Sequence, residues 1–198
     1  MKKVILLLVI SLFCNGIYSQ NKHGLHGSVL AKSKNLTVEL INNNLYLFVK
    51  LKKEKKDTIL LRKNDLAKLP LECKIVPFMA KGKKLYNVTW KQTTTTNSKL
   101  MNEVKTVTNS AICDIALKAV LFSNVQTNTK TKEIQFIDES HSASETHEKT
   151  RNEGLVLSVT KEGNLELKNK EVEKKMIYDT IYKKYINSES LSQIKKAK

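Results

Sequence analysis

Two runs of strictly alternating hydrophobicity flank three asparagines, and no other feature of this chain narrows its fold as much. Residues 35–41 (NLTVELI) put Leu36, Val38 and Leu40 on one side, and residues 45–52 (LYLFVKLK) put Leu45, Leu47, Val49 and Leu51 on one side. A period of two marks a strand with one buried face. Asn42-Asn43-Asn44 lies between the runs, and asparagine tolerates the left-handed backbone of a tight turn. The pattern predicts a β-hairpin over 35–52. The charged connection Lys52-Lys53-Glu54-Lys55-Lys56-Asp57 then leads into Thr58–Leu61 as another strand.

The rest of the chain reads in the same way, with two exceptions. Asn64 caps one helical turn through Leu69, ended by Pro70. Segments 71–78, 84–93, 99–108, 111–118, 119–127 and 131–138 are rich in Thr, Val and Ile, as a pleated, half-buried surface favours. Gly154–Thr160 and Asn164–Lys168 flank Lys161-Glu162-Gly163, where Gly163 suits the left-handed site of a hairpin loop. Residues 139–153 (ESHSASETHEKTRNE) carry almost no apolar side chains and read as a loop or short exposed helix. Residues 170–186 place Val172, Met176, Ile177, Ile181 and Tyr185 at helical spacing after Asn169 as N-cap, which predicts an amphipathic helix. The expected fold is all-β, an antiparallel sandwich or barrel of about ten short strands, with one C-terminal helix. A single domain over 20–187 and a polar tail over 188–198 complete the expected organisation.

The first 19 residues read as a cleavable signal peptide. Lys2 and Lys3 precede the apolar stretch Val4–Phe13, and Ser19 supplies a small residue at the cut. A stretch that short does not span a bilayer, which takes about 20 residues. Cys14 would mark a lipoprotein only with a small residue before it, and Phe13 is large. The expectation is a periplasmic or secreted protein without a transmembrane span.

Export bears on the cysteines. Cys73 and Cys113 remain after cleavage, in an oxidising compartment. Cys73 shares strand parity with Leu71 and Ile75, and Cys113 with Ala111, Ile115 and Leu117, so both thiols face the apolar side. A Cys73–Cys113 disulfide is expected, worth about 4 kcal/mol in the chain-entropy picture.

Charge is the remaining signal. The chain carries a net +16. Residues 20–105 hold 18 basic and 6 acidic side chains, whereas residues 106–198 hold 15 and 13. A positive field of this asymmetry steers anionic partners. The bases are almost all lysine, with only Arg62 and Arg151 besides. Bidentate reading of bases and phosphates favours arginine, so nucleic acid is not the expected partner. An AT-rich genome also writes Lys and Asn cheaply, which competes with any functional reading of the excess. Two clusters stand at expected strand ends: Lys52, Lys53, Lys55 and Lys56 (with Lys50 just before), and Lys81, Lys83 and Lys84. If the two connections share one end of the fold, they form a rim for an anionic ligand.

Motifs for chemistry are weak. His141, Glu145, His147 and Glu148 form the best metal candidate, yet Arg151 stands where the zinc-protease pattern needs its second histidine. His23 near the mature terminus would chelate copper only if cleavage fell after Gln20. Trp90, Tyr86 and Val88 share a strand face and could stack a sugar, although such a trio is more often core. No G-x-S-x-G, C-x-x-C or glycine-rich phosphate loop is present, and no cofactor is expected. The function expected is non-enzymatic binding of an anionic envelope component or a partner protein. The alternatives are a small metal-dependent hydrolase using His141–His147, or a structural subunit of a surface assembly. Processing is directly testable: intact mass of the exported protein should match residues 20–198, and a species starting at a diacylated Cys14 would overturn the reading.

Overall fold

The computed structural model describes residues 27–51, 56–63 and 69–188. The signal segment 1–19, the helical turn expected at 64–69 (save Leu69) and the tail beyond Ser188 lie outside the described residues.

Among the described residues thirteen strands form three antiparallel sheets, and each sheet is a simple meander. The N-terminal sheet runs β1 (Ser28–Ser33), β2 (Leu36–Ile41), β3 (Asn44–Lys50) and β4 (Lys56–Arg62). The middle sheet runs β5 (Leu71–Ala80), β6 (Lys83–Asn97), β7 (Met101–Asp114), β8 (Ala119–Phe136) and β9 (Ser144–Gly154). The C-terminal sheet runs β10 (Val156–Val159), β11 (Leu165–Lys168), β12 (Glu173–Asp179) and β13 (Lys184–Asn187).

The alternating runs become β2 and β3, with a turn one residue shorter than the asparagine run. Asn44 opens β3 opposite Ile41, leaving Asn42 and Asn43 as a two-residue loop. Their φ values of 50° and 60° are what a type I′ hairpin turn requires.

The middle sheet is covered on both faces. Leu36, Val38, Leu45, Leu47, Val49 and Ile59 of the N-terminal sheet pack with Val88, Trp90, Ala111 and Cys113 of the middle one. On the opposite face, Ala80, Leu85 and Ile112 pack with Leu165, Tyr178 and Tyr185 of the C-terminal sheet. Ala111, Ile112 and Cys113 are consecutive and all buried, because alternate side chains enter different clusters. Beyond this doubly covered region, β7, β8 and β9 continue as a polar ladder, with every residue of β9 exposed.

Four expectations need correction. The helix expected at 170–186 is the β12–β13 hairpin. Its helical stripe is not buried as a unit, since Ile181 is 82% exposed. Tyr185 of the stripe is buried with Tyr178, which lies outside it, as a direct cross-strand pair with ring centroids 5.5 Å apart. Asp179 settles the turn locally: its Oδ1 accepts the Ile181 N–H (2.8 Å) and the Tyr182 N–H (2.9 Å), a side-chain bond that competes with helix.

Secondly, most of 139–153 is not a loop. Ser144–Gly154 pairs with Gln126–Phe136 along its whole length. Its polarity hid it, because a strand with neither face buried shows no alternation. Thirdly, the segments 99–108 and 111–118 are one strand through Asp114, and 119–127 and 131–138 are one strand through Phe136. The structure therefore has fewer, longer central strands than expected.

Fourthly, Cys73 and Cys113 are free thiols. Their parity is as expected, since both face the cluster shared with the N-terminal sheet. The ladder nevertheless separates them: β6 lies between their strands, and Cys113 is opposite Tyr86 while Cys73 falls between the pairs Leu71–Lys91 and Lys74–Thr89. Strand spacing and rise place them roughly 15 Å apart, about twice what a disulfide can bridge. Burial pushes the Cys73 thiol up to about 11 and the Cys113 thiol up to about 12, so neither is a ready nucleophile.

Two measurements check this architecture. Cys73 and Cys113 should both label quantitatively in unfolded, unreduced protein, and a recovered Cys73–Cys113 peptide would contradict the register. Gly163 sits at φ 78°, where an added Cβ would lie 2.5 Å from Ala80 Cα and also strike the Met79 carbonyl oxygen. Gly163→Ala should cost about 2–3 kcal/mol in urea denaturation. Gly82→Ala, at φ 79° but with nothing near its Cβ, should cost about 1 kcal/mol or less, which isolates the packing contribution.

Candidate functional site

Lys56, the described member of the first lysine cluster, stands at the same end of the fold as Lys81, Lys83 and Lys84, and ion pairs show how. The β3–β4 connection starts at Lys50 and ends at Lys56, which face each other across the ladder. Next to it, the Asp57 carboxylate accepts Lys118 Nζ at 2.8 Å from the β7–β8 loop. That loop begins at Asp114, whose Oδ2 lies 3.4 Å from Lys83 Nζ, beside the β5–β6 turn at Lys81-Gly82. Lys81, Gly82 and Lys83 in turn line a small recess with Tyr178, Thr180 and Lys183 of the C-terminal sheet. The β1–β2 turn joins the group because Lys50 N–H donates to the Asn35 carbonyl at 2.8 Å. The β10–β11 loop joins it through Gly163, packed against Met79 and Ala80.

Each of these six turns carries or adjoins lysine: Lys34, Lys50 with Lys56, Lys81 with Lys83, Lys118, Lys161, and Lys183 with Lys184. The carboxylates among them are mostly committed elsewhere. Asp114 is buried and its Oδ1 accepts the Ala116 and Leu117 N–H groups at 2.8 and 3.2 Å. Asp179 holds its own loop in the same way, and Asp57 is paired. Among the described residues Glu162 is the remaining acid, and a hydrogen bond from Thr160 holds its carboxyl below the usual range. Turns pointing the other way differ. Among the described residues they carry Asp138 and Glu139, Glu171 and Glu173, against Lys63, Lys99, Lys168 and Lys170.

Of the residues singled out by the sequence, Lys56, Lys81, Lys83 and Lys84 are at this end, while Lys52, Lys53 and Lys55 lie outside the described residues. Lys56 Nζ sits 5.6 Å over the Phe48 ring and Lys84 Nζ 5.7 Å over Tyr86, so both ammonium groups are steered by aromatic faces. The sequence reading missed Lys34, Lys118, Lys161, Lys183 and Lys184. A usable signal existed for two of them. Asp114-Ile-Ala-Leu-Lys118 and Asp179-Thr-Ile-Tyr-Lys183 repeat one loop pattern, with the aspartate accepting two backbone N–H groups and the lysine in left-handed conformation at φ 54° and 53°.

The other candidates dissolve on inspection. Val88 and Trp90 are core, with Trp90 only 3% exposed, and Tyr86 packs against them, so they offer no sugar-stacking platform. Glu145 and His147 do meet, at 2.6 Å, on the exposed strand β9. Glu148 points to the opposite face and pairs with Lys132 at 3.3 Å, while His141 stacks on Phe136 in the β8–β9 loop. Among the described residues no group of three His, Cys, Asp or Glu side chains could hold a metal. A groove of about 800 Å3 opens between β9 and the C-terminal sheet, lined by Gln126, Arg151, Asn152, Lys168 and Glu171 among others, but no histidine or cysteine enters its lining. The C-terminal segment expected as a helix is a hairpin, and β9 is an edge strand of the middle sheet. His23 lies outside the described residues, and no described helix is long and apolar enough to cross a membrane.

What gathers at this end, among the described residues, is therefore lysine charge. No family model, curated protein or solved structure matches this chain, so the lysine-bearing end is read from its own chemistry.

Proposed function

We propose that this is an exported, non-enzymatic protein that binds an anionic component of the cell envelope through its lysine-bearing end. The observation that carries the proposal is conformational. Lys34, Lys81, Lys118 and Lys183 all occupy left-handed backbone, at φ values of 46° to 54°, in four different turns at that one end. Left-handed backbone costs a side chain with a Cβ about 1 kcal/mol or more, and Gly or Asn is the usual occupant. Asparagine is as cheap as lysine in an AT-rich genome, and the chain does use it at Asn42 and Asn43, in a turn facing the other way. Codon bias accounts for Lys plus Asn. It does not account for the finding that, among the described residues, lysine takes left-handed positions on one end only.

Lys34, Lys81 and Lys183 have no carboxylate partner among the described residues, so their charge is available to a ligand. Lys50 and Lys56 stand directly opposite each other, a like-charge arrangement that is unfavourable unless an anion relieves it. Binding of dextran sulfate should weaken steeply with salt, because exposed charges are screened beyond about 8–10 Å at physiological ionic strength. Replacing Lys34, Lys81 and Lys183 together by Glu should lower affinity by at least about tenfold, mainly through the on-rate. The same reversal at Lys99, Lys168 and Lys170 is the control. Equal losses in both variants would reduce the effect to net charge and remove the site.

A further inference from the structure

We infer that the anionic component is a lipid bilayer surface, and that Ile181 and Tyr182 enter its headgroup layer while the neighbouring lysines engage the anionic headgroups. The inference rests on the proposed function and narrows its ligand. Ile181 and Tyr182 are the two most exposed large hydrophobic side chains among the described residues, at 82% and 71%. They occupy the tip of the β12–β13 loop, at the same end as the lysine-bearing turns, and Lys183 and Lys184 follow them directly. Lys184 Nζ lies 5.5 Å from the Tyr182 ring centre. The matching loop between β7 and β8 offers Leu117, 38% exposed, followed by Lys118.

A soluble polyanion has a use for the lysines and none for Ile181 and Tyr182. A bilayer surface has a use for both. An aliphatic side chain settles at the headgroup–acyl boundary, tyrosine prefers the headgroup level, and lysine gains from each anionic lipid nearby. The loop is also fixed beforehand. Asp179 accepts the N–H groups of Ile181 and Tyr182 themselves, so the two side chains are presented in one arrangement with little ordering left to do on docking. The opposite end supplies the contrast. Phe136 and Ile137 are exposed there too, but Asp138 and Glu139 follow them, and hydrogen bonds from Ser142, Ser140 and the Ala143 N–H hold the Asp138 carboxyl down to about 2. An anionic surface would repel that tip.

The test uses the mature full-length chain in co-sedimentation with vesicles, either phosphatidylcholine alone or phosphatidylcholine mixed with phosphatidylglycerol, and soluble polyphosphate as a second probe. The parent should bind the mixed vesicles and polyphosphate but not phosphatidylcholine alone. Ile181→Ser with Tyr182→Ser, an exposed pair whose loss spares the core, should weaken vesicle binding on the order of tenfold and leave polyphosphate binding unchanged. Ile137→Ser should change neither. If the double variant binds vesicles as the parent does, the bilayer inference falls while the anion site stands. If it loses both probes with an unchanged melting curve, the two side chains belong to a polyanion site and the inference again falls. If the parent binds neither vesicles nor polyphosphate, the proposed function itself fails.

Discussion

The structure depends on the middle sheet being buried on both faces at once. Over Asn109–Asp114 every residue of β7 is buried, with Ala111 and Cys113 committed to the N-terminal sheet and Ile112 to the C-terminal one. A slip of one residue would exchange the two sets, because side chains alternate strictly along a strand. It would drive Ile112 into the cluster around Val38 and Leu47 and move Ala111 and Cys113 against Tyr178 and Tyr185. Two independent interfaces thus fix one register. Each outer sheet alone is a chain of hairpins that would leave its apolar face in water. Their faces become useful only against the middle wall.

That wall also explains where the turns collect. In a meander, every second connection falls at the same end of its sheet. Once three meanders pack with their β1–β2, β5–β6 and β10–β11 turns at one end, the β3–β4, β7–β8 and β12–β13 turns must follow. Six loops distant in sequence become neighbours without any contact selected for that purpose. The ion pairs between them, Asp57 with Lys118 and Asp114 with Lys83, place single carboxylates among many lysines. Asp114 is the more consequential, since it is buried and also holds the 115–118 loop. Its partner Lys83 is well exposed, so the pair steadies a buried charge and contributes only modestly as a salt bridge.

How much of this could be read from residues depended on whether a face was buried. Leu36, Val38, Leu45, Leu47 and Val49 are all core, and their alternation declared β2 and β3 directly. Gly163 likewise declared its left-handed site. Beyond residue 92 on β6, the strands leave the covered region, and the pattern vanishes with the burial that creates it. Glu145, His147, Lys149 and Arg151 then look like loop, though the backbone ladder to β8 is complete. The C-terminal hairpin was obscured differently. Met176, Ile177, Ile181 and Tyr185 fit a helix by spacing, and only the Asp179 side chain, which favours a turn there, argued otherwise. Lys56, Lys81, Lys83 and Lys84 were visible as parts of clusters, but their placement at one end was not, since it follows from the stacking of three sheets. The paired cysteines erred for the same reason: parity gives a face, not a position along it.

The polar extension raises its own problem, because a strand with no buried face has a weakly specified register. β8 is 18 residues long, roughly 60 Å when extended, and its outer half has no apolar cluster to align it. Cross-strand polar pairs supply the alignment instead. Asn128 Nδ2 donates to Asn152 Oδ1 at 2.6 Å, Asn102 Nδ2 donates to Asn97 Oδ1 at 2.8 Å near the β6–β7 tip, and Lys132 meets Glu148. Each such pair contributes only about 0.2–1 kcal/mol, but a slip breaks all of them together. The edge strand β9 carries Lys149, Arg151 and three glutamates, Glu145, Glu148 and Glu153, and charge of both signs discourages edge-to-edge association. The two ends of the molecule are therefore held by different physics. The lysine-bearing end is anchored to the doubly covered core and can tolerate strained lysines in its turns. The extension has no core beneath it, and it uses pairing where the other end uses packing.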